Sequence, residues 1–258
     1  MDSSLMSPRT IVVAAFAVFV IAAVFLLTAA VPQDPAYHEF SDFRSLLGVA
    51  NFWNVFSNLP FLIVGAAGLV FLHRYAEQVC VPGAGMAYQV FFVGILLTAF
   101  GSSYYHLAPS NETLLWDRLP MTIGFAGLVT IIVAEFVSAR AARFLLVPLL
   151  IVGFASVEYW AWTEARGVGD LRPYALVQFL PMLMIPVILL THKPAIGAVR
   201  YYWWMLAFYF LAKLLEFFDA NIFAFGYIIS GHSLKHVAAA MTPTVFLYAL
   251  IMRHRLFT

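Results

Sequence analysis

Charge is scarce in this sequence, and cysteine scarcer. Only 10% of the 258 residues are Asp, Glu, Lys or Arg, with a formal net charge of +1. Soluble domains carry about a quarter charged residues, so an ordinary water-exposed surface is excluded. No run of lysine or arginine is present, which leaves no phosphate-tracking surface and no nucleic-acid partner to expect. Cys80 is the only cysteine, which rules out an intrachain disulfide and any cysteine-rich metal site. A metal, if bound, falls to histidine and carboxylate. Internal repeats and low-complexity tracts are also missing, and no stretch reads as a soluble module.

What is plentiful is apolar. The chain is 63% hydrophobic with a mean hydropathy of +0.90, the composition of an integral membrane protein. A hydrocarbon core of about 30 Å takes about 20 helical residues per crossing. Eight such runs stand out, near Ile11–Val31, Phe52–Leu72, Ala87–His106, Arg118–Val137, Leu145–Trp162, Ala175–Leu190, Tyr201–Asp219 and His232–Met252. The expected fold class is all-α, a polytopic transmembrane helix bundle. The first run also has features of a signal peptide, with Met1 to Arg9 before it and "LLTAAVPQ" after it. Its apolar stretch exceeds the usual signal core of 7–15 residues, so a retained helix is expected. Two parts follow: residues 1–36, an N-terminal helix or signal-anchor, and residues 37–258, a seven-helix core.

Lysine and arginine set orientation. Arg9, Arg74, Arg140, Arg143, Lys193, Arg200, Arg253 and Arg255 gather on one side of these spans. Arg44, Arg118, Arg166 and Arg172 lie on the other, mixed with six carboxylates. The basic side is expected to be cytoplasmic, with both termini there. Trp116, Trp160 and Trp162 on one side, and Tyr201, Tyr202, Trp203 and Trp204 on the other, read as interfacial aromatics.

With this threading, His106 ends one span at the outer face, Asp117 opens the next, and His232 and His236 begin the last. Three histidines and an aspartate from distant parts of the chain share one depth. Ser102 and His106 are four residues apart, as are His232 and His236, so each pair lies on one helical face. Two imidazoles at i and i+4 can hold one ion, and a third from another helix completes a set of three. Three protein ligands and a water is the pattern of catalytic zinc, although iron and copper also accept imidazole. Taken singly, each residue has an ordinary explanation: an interfacial HxxxH, a packed serine, and an Asp117 that caps a helix. Their convergence does not. His38 is a candidate for the site's rim, while His73, His192 and His254 fall among the basic-side charges. Lys213, Glu216 and Asp219, at i, i+3 and i+6, read first as an internal ion pair that Glu158 can join; binding of head-group hydroxyls is the alternative.

These motifs are similar to those of the CREST membrane hydrolases, a superfamily of alkaline ceramidases and adiponectin/progestin receptors. "NFWNVFSNLPFLIVG" (Asn51–Gly65) resembles the opening of the first core helix of alkaline ceramidases. "GSSYYHLAPSNETLLWDRLPM", "GDLRPYALVQFLP" and "SGHSLKHVAAA" look like motifs of bacterial-type members. The resemblance runs from about Tyr37 to Met252. It implies that His106, His232 and His236 bind Zn2+ beside Ser102 and Asp117, and that the substrate is a membrane lipid, ceramide or a related amide. Metal-bound water would attack the carbonyl, with Asp117 as base and Ser102 at the oxyanion, releasing a fatty acid and a sphingoid base. Tyr104 and Tyr105 are candidate head-group contacts, as are Lys213 and Glu216. Calcium is not expected, because Asn51 stands where the eukaryotic enzymes have a glutamate. No protein partner is expected. A receptor-like member of the superfamily and a histidine-ligated haem protein are the alternatives.

Overall fold

The computed structural model describes residues 7–256. The first six residues, which belong to the stretch weighed as a signal, and the last two therefore lie outside the described residues. Among those described, the fold is all-α with no strand. In chain order the helices are α1 (Pro8–Leu27), α2 (Phe52–Phe56), α3 (Leu59–Val79), α4 (Gly85–Leu107), α5 (Asn111–Ile132), α6 (Ala139–Glu164), α7 (Arg172–Thr191), α8 (Val199–Phe217), α9 (Asp219–Gly226) and α10 (Gly231–His254). A 3-10 turn at Pro35–His38 precedes α2, and a π turn at Val133–Val137 extends α5. Among the described residues, seven stretches are long and apolar enough to cross a membrane: α1, α2 with α3, α4, α5 with its π turn, α6, α7 and α10. The eighth long helix, α8, has 19 residues, about 28 Å of rise, but carries Arg200, Lys213 and Glu216. This is a polytopic membrane bundle.

Helix boundaries follow capping chemistry that hydropathy does not register. Ser7 caps α1 and Pro8 occupies its first turn, where the missing N–H costs nothing. Ser110 and Thr113 form a reciprocal capping box that starts α5 seven residues before the expected Arg118. Asp117 is therefore in the second turn and is not a cap. The expected span from Phe52 breaks at Ser57–Asn58, and α3 restarts with Pro60 in its first turn.

The surface is apolar, as lipid requires. Phe144, Val147, Ile151 and Phe154 form an exposed stripe along α6. α1 packs against α7 and buries none of its residues. Inside, the helices approach closely where side chains vanish. A Cβ on Gly94 would meet the Gly124 backbone nitrogen at 2.3 Å, and one on Gly127 would meet Phe91 N at 2.6 Å. α4 and α5 thus touch backbone to backbone, the contact by which small residues associate membrane helices.

At one end, the π turn presents Glu135 to the interior. Tyr88 and Tyr202 donate to its two oxygens at 2.6 and 2.7 Å, and Arg253 donates to both at 3.0 and 3.1 Å. Glu135 is 1% exposed and Arg253 5%. Four helices are clasped there by one satisfied ion pair. Tyr202, expected at the interface, faces inward for this reason.

Candidate metal centre

The histidines lie at the opposite end. His232 and Arg253 are 21 residues apart on α10, about 30 Å along the axis. His106 is in the last turn of α4, His232 and His236 in the first two turns of α10, and the three are almost wholly buried. His106 Nε2 lies 3.3 Å from His236 Nε2 and 3.4 Å from His232 Nε2. One ligand atom from each ring lies within 4.8 Å of the others, a set that can hold a metal ion.

The donor chemistry fits a cation. If His106 Nε2 carried a proton, that proton would satisfy one of its two short contacts, whereas one ion engages all three lone pairs. The Ser57 hydroxyl lies 3.1 Å from the Asn54 carbonyl, to which it donates, and 2.7 Å from His236 Nδ1. Having used its proton, Ser57 accepts from Nδ1–H, which leaves Nε2 bare and facing the centre. Cys80 is no competing ligand, because it follows Val79, whose carbonyl accepts from Arg253 at the opposite end of the bundle.

Neighbouring segments hold the three rings in register. Asn51, in the left-handed region at φ 47°, donates to the His106 carbonyl at 2.8 Å and so satisfies one of the orphan acceptors at the end of α4. Asp219 accepts from His232 N at 2.6 Å and from Ser41 N at 3.2 Å, tying α10 to the loop before α2. Asn54 accepts from the Ser233 hydroxyl at 2.7 Å and donates to the Asp42 carbonyl at 3.0 Å. Asp42 is in turn gripped by Arg44, which donates onward to the carbonyls of Tyr227 and Ile228. Phe40 lies over the rings, 4.7 Å from His106 and from His232 between centroids.

A cavity of about 320 Å³ opens beside this centre. His236, Ser102, Asp117, Arg118, Tyr37 and Lys235 stand at its polar end, and most of the remaining wall is apolar, including Phe91, Ile95, Phe125 and Leu128. Ser102 and Asp117 reach it together because α4 and α5 nearly touch there. Pro120 has no N–H for the Trp116 carbonyl four residues back, and a Cβ on Gly101 would lie 2.0 Å from that carbonyl oxygen.

The other expected site residues are placed as follows. Lys213 and Glu216 line the cavity and form the internal pair, Nζ to Oε2 2.7 Å. Glu216 takes a second partner that sequence reasoning missed, Lys235 at 2.8 Å. Gly231 permits this, since a Cβ there would meet the Leu215 carbonyl at 2.2 Å. Glu158 is exposed and makes no ion pair among the described residues. Tyr104 and Tyr105 are not on the cavity wall. Tyr104, two residues from Ser102 and about 200° around the helix, is 52% exposed over a separate shallow groove. Tyr105 is buried under Phe40, its hydroxyl 2.9 Å from His38 Nδ1. Tyr37, Tyr174 and Tyr209 line the cavity instead. Trp160, expected at the interface, is fully buried with Arg118 stacked 4.1 Å from its ring. One signal for the missed residues was legible: Asn54, Ser57 and Asn58, at i, i+3 and i+4, put amides and a hydroxyl on one face of an apolar stretch.

The family model described as Ceramidase matches residues 41–256, a stretch that takes in α2 to α10 and all three histidines. No curated protein matches the chain. With the matched stretch covering most of its length, this chain belongs to the Ceramidase family.

Proposed function

We propose that the protein is a zinc-dependent integral-membrane amidohydrolase that cleaves ceramide-like lipids to a fatty acid and a sphingoid base. The observation that carries the reading is the convergence of three Nε2 atoms beside an otherwise apolar cavity whose wall includes His236, in a chain of the Ceramidase family. Zinc held by His106, His232 and His236 would supply a Lewis acid and bring the pKa of a water molecule to about 7.

The chain's own residues do the rest. Asp117 accepts the proton of the attacking water and returns it to the departing amine. The Ser102 hydroxyl donates to the carbonyl oxygen as negative charge develops on it, a contribution of about 3 kcal/mol from one well-placed donor. Ser102 is not needed as a nucleophile. Phe40 and the loop that carries it keep bulk water from the imidazoles. The acyl chain lies along the apolar wall, entering laterally from the bilayer. The lysine and arginine distribution favours the histidine end as the outer side and the Glu135 end, with both termini, as the cytoplasmic one. Three nitrogens meeting at one point leave no room for a porphyrin plane, which favours a small ion over haem.

The test is metal analysis of the purified protein followed by mass spectrometry of products from a panel of lipid amides. Stoichiometric zinc with fatty-acid release is expected. His232→Ala should lose both metal and turnover, and Asp117→Asn should keep zinc while losing activity at least a hundredfold. Zinc without release of fatty acid from any amide would point to a receptor instead.

A further inference from the structure

Arg118 is the cation of the cavity wall that has no carboxylate. Lys213 and Lys235 both converge on Glu216. Arg118 is 5% exposed and enters none of the ion pairs among the described residues. Its guanidinium is held by aromatic faces and an amide: Cζ lies 4.1 Å from the Trp160 ring centre and 4.7 Å from that of Tyr174, and Nη2 donates to Gln33 Oε1 at 2.6 Å. Gln33 is held in turn, its backbone N–H donating to Glu164 at 3.0 Å. Nη1 is buried without a hydrogen-bond partner. Rings and an amide ease the burial of a cation but do not neutralise it. Across the cavity wall, Arg118, Lys213 and Lys235 face Asp117 and Glu216, one positive charge in excess.

We propose that Arg118 is the seat for an oxyanion on the polar half of the bound lipid, so that the preferred substrate is an N-acyl lipid carrying a phosphate or carboxylate on its amine moiety. This rests on the hydrolase reading above. Arg118 follows Asp117 directly on α5, about 1.5 Å along the axis and 100° around it. Both residues line the cavity, so an anion drawn to the Arg118 guanidinium sits beside the residue that handles the amide, at the polar end of the cavity and away from the acyl chain. A buried guanidinium already oriented by stacking gives a strong charge-assisted hydrogen bond to such a group, because little freedom remains to be lost.

A matched pair of lipids tests this on the purified, zinc-loaded full chain in detergent: a ceramide and the same ceramide phosphorylated on its primary hydroxyl. The phosphorylated lipid should raise the thermal midpoint more and show at least tenfold higher kcat/KM. Arg118→Gln should bring that ratio close to one, and Arg118→Lys should keep part of it. The variants retain the three histidines, so affinity of phosphate for the metal itself is common to all. Palmitate is the third arm. Stabilisation by palmitate equal to that by ceramide phosphate, and lost in Arg118→Gln, overturns the amine-side placement and makes the released acid the occupant. Equal stabilisation and equal kcat/KM for the neutral and phosphorylated lipids in the unaltered protein overturn the proposal, whether or not the variants fold. Turnover without preference sinks this inference alone; preference in stabilisation without turnover of either lipid sinks the hydrolase reading alone.

Discussion

Ser57 Oγ stands 2.7 Å from His236 Nδ1, while the opposite nitrogen of that ring stands 3.3 Å from His106 Nε2. One hydroxyl thereby decides which edge of the imidazole faces the centre. Loss of such an outer contact typically costs 10–100-fold in metal affinity. Ser57→Ala is expected to weaken zinc binding about tenfold or more, read by competition with a chromophoric chelator. An unchanged affinity would mean that packing alone orients the ring.

Gly101 predicts a mechanical effect. A methyl group there would lie 2.0 Å from the Trp116 carbonyl oxygen, so α4 and α5 would have to part. Overpacking of this kind costs about 1–3 kcal/mol, and it would also separate Ser102 from Asp117. Gly101→Ala should lower both the thermal midpoint and kcat/KM. Gly85→Ala, with nothing within 4 Å of the new methyl, is the control and should leave both intact.

The Glu135–Arg253 pair predicts non-additivity. Removing one charge strands the other in a buried site, at about 3–5 kcal/mol. Glu135→Gln should be strongly destabilised in thermal unfolding, and adding Arg253→Met should recover part of the loss. Additive losses in the double variant would show that the two side chains act independently.

Asp170 carries a pH dependence. Its carboxylate accepts from Arg172 Nε, from Arg172 Nη2 and from the Arg172 backbone N–H at 2.8–3.0 Å, which holds it below the usual carboxylate range. A depressed folded value contributes stability that is present above the unfolded pKa of about 3.9 and disappears as pH falls through the folded value. Arg172 also donates to the Thr28 carbonyl at the end of α1, so acid should loosen the α1–α7 contact first. Midpoints taken from pH 6 downward should fall in the unaltered protein once pH drops below about 4. Asp170→Asn should start lower and change less.

Much of this was legible in the sequence for simple reasons. Spans of about 20 apolar residues have few alternatives in a membrane, and SxxxH and HxxxH need only helical periodicity to predict shared faces. The His106, His232 and His236 convergence was deducible because alternating crossings return helix ends to the same side. What could not be read depends on contacts between distant segments. Nothing near Arg118 in sequence announces that Trp160, Tyr174 and Gln33 will surround it, and Phe40 reaches the histidines only after the loop folds back. Lys235 sat beside two candidate ligands, yet its partner lies on another helix. Tyr104 and Tyr105 show the converse: adjacency to His106 suggested a shared site, but 100° per residue turns them away from the cavity.

The Lys213–Glu216 pair bears on how the protein is made. The two residues are one turn apart on α8, so their charges cancel within that helix before any neighbour exists. A nascent α8 therefore offers the insertion machinery a nearly neutral rod despite its composition. Lys235 on α10 comes later in the chain and finds the carboxylate already held.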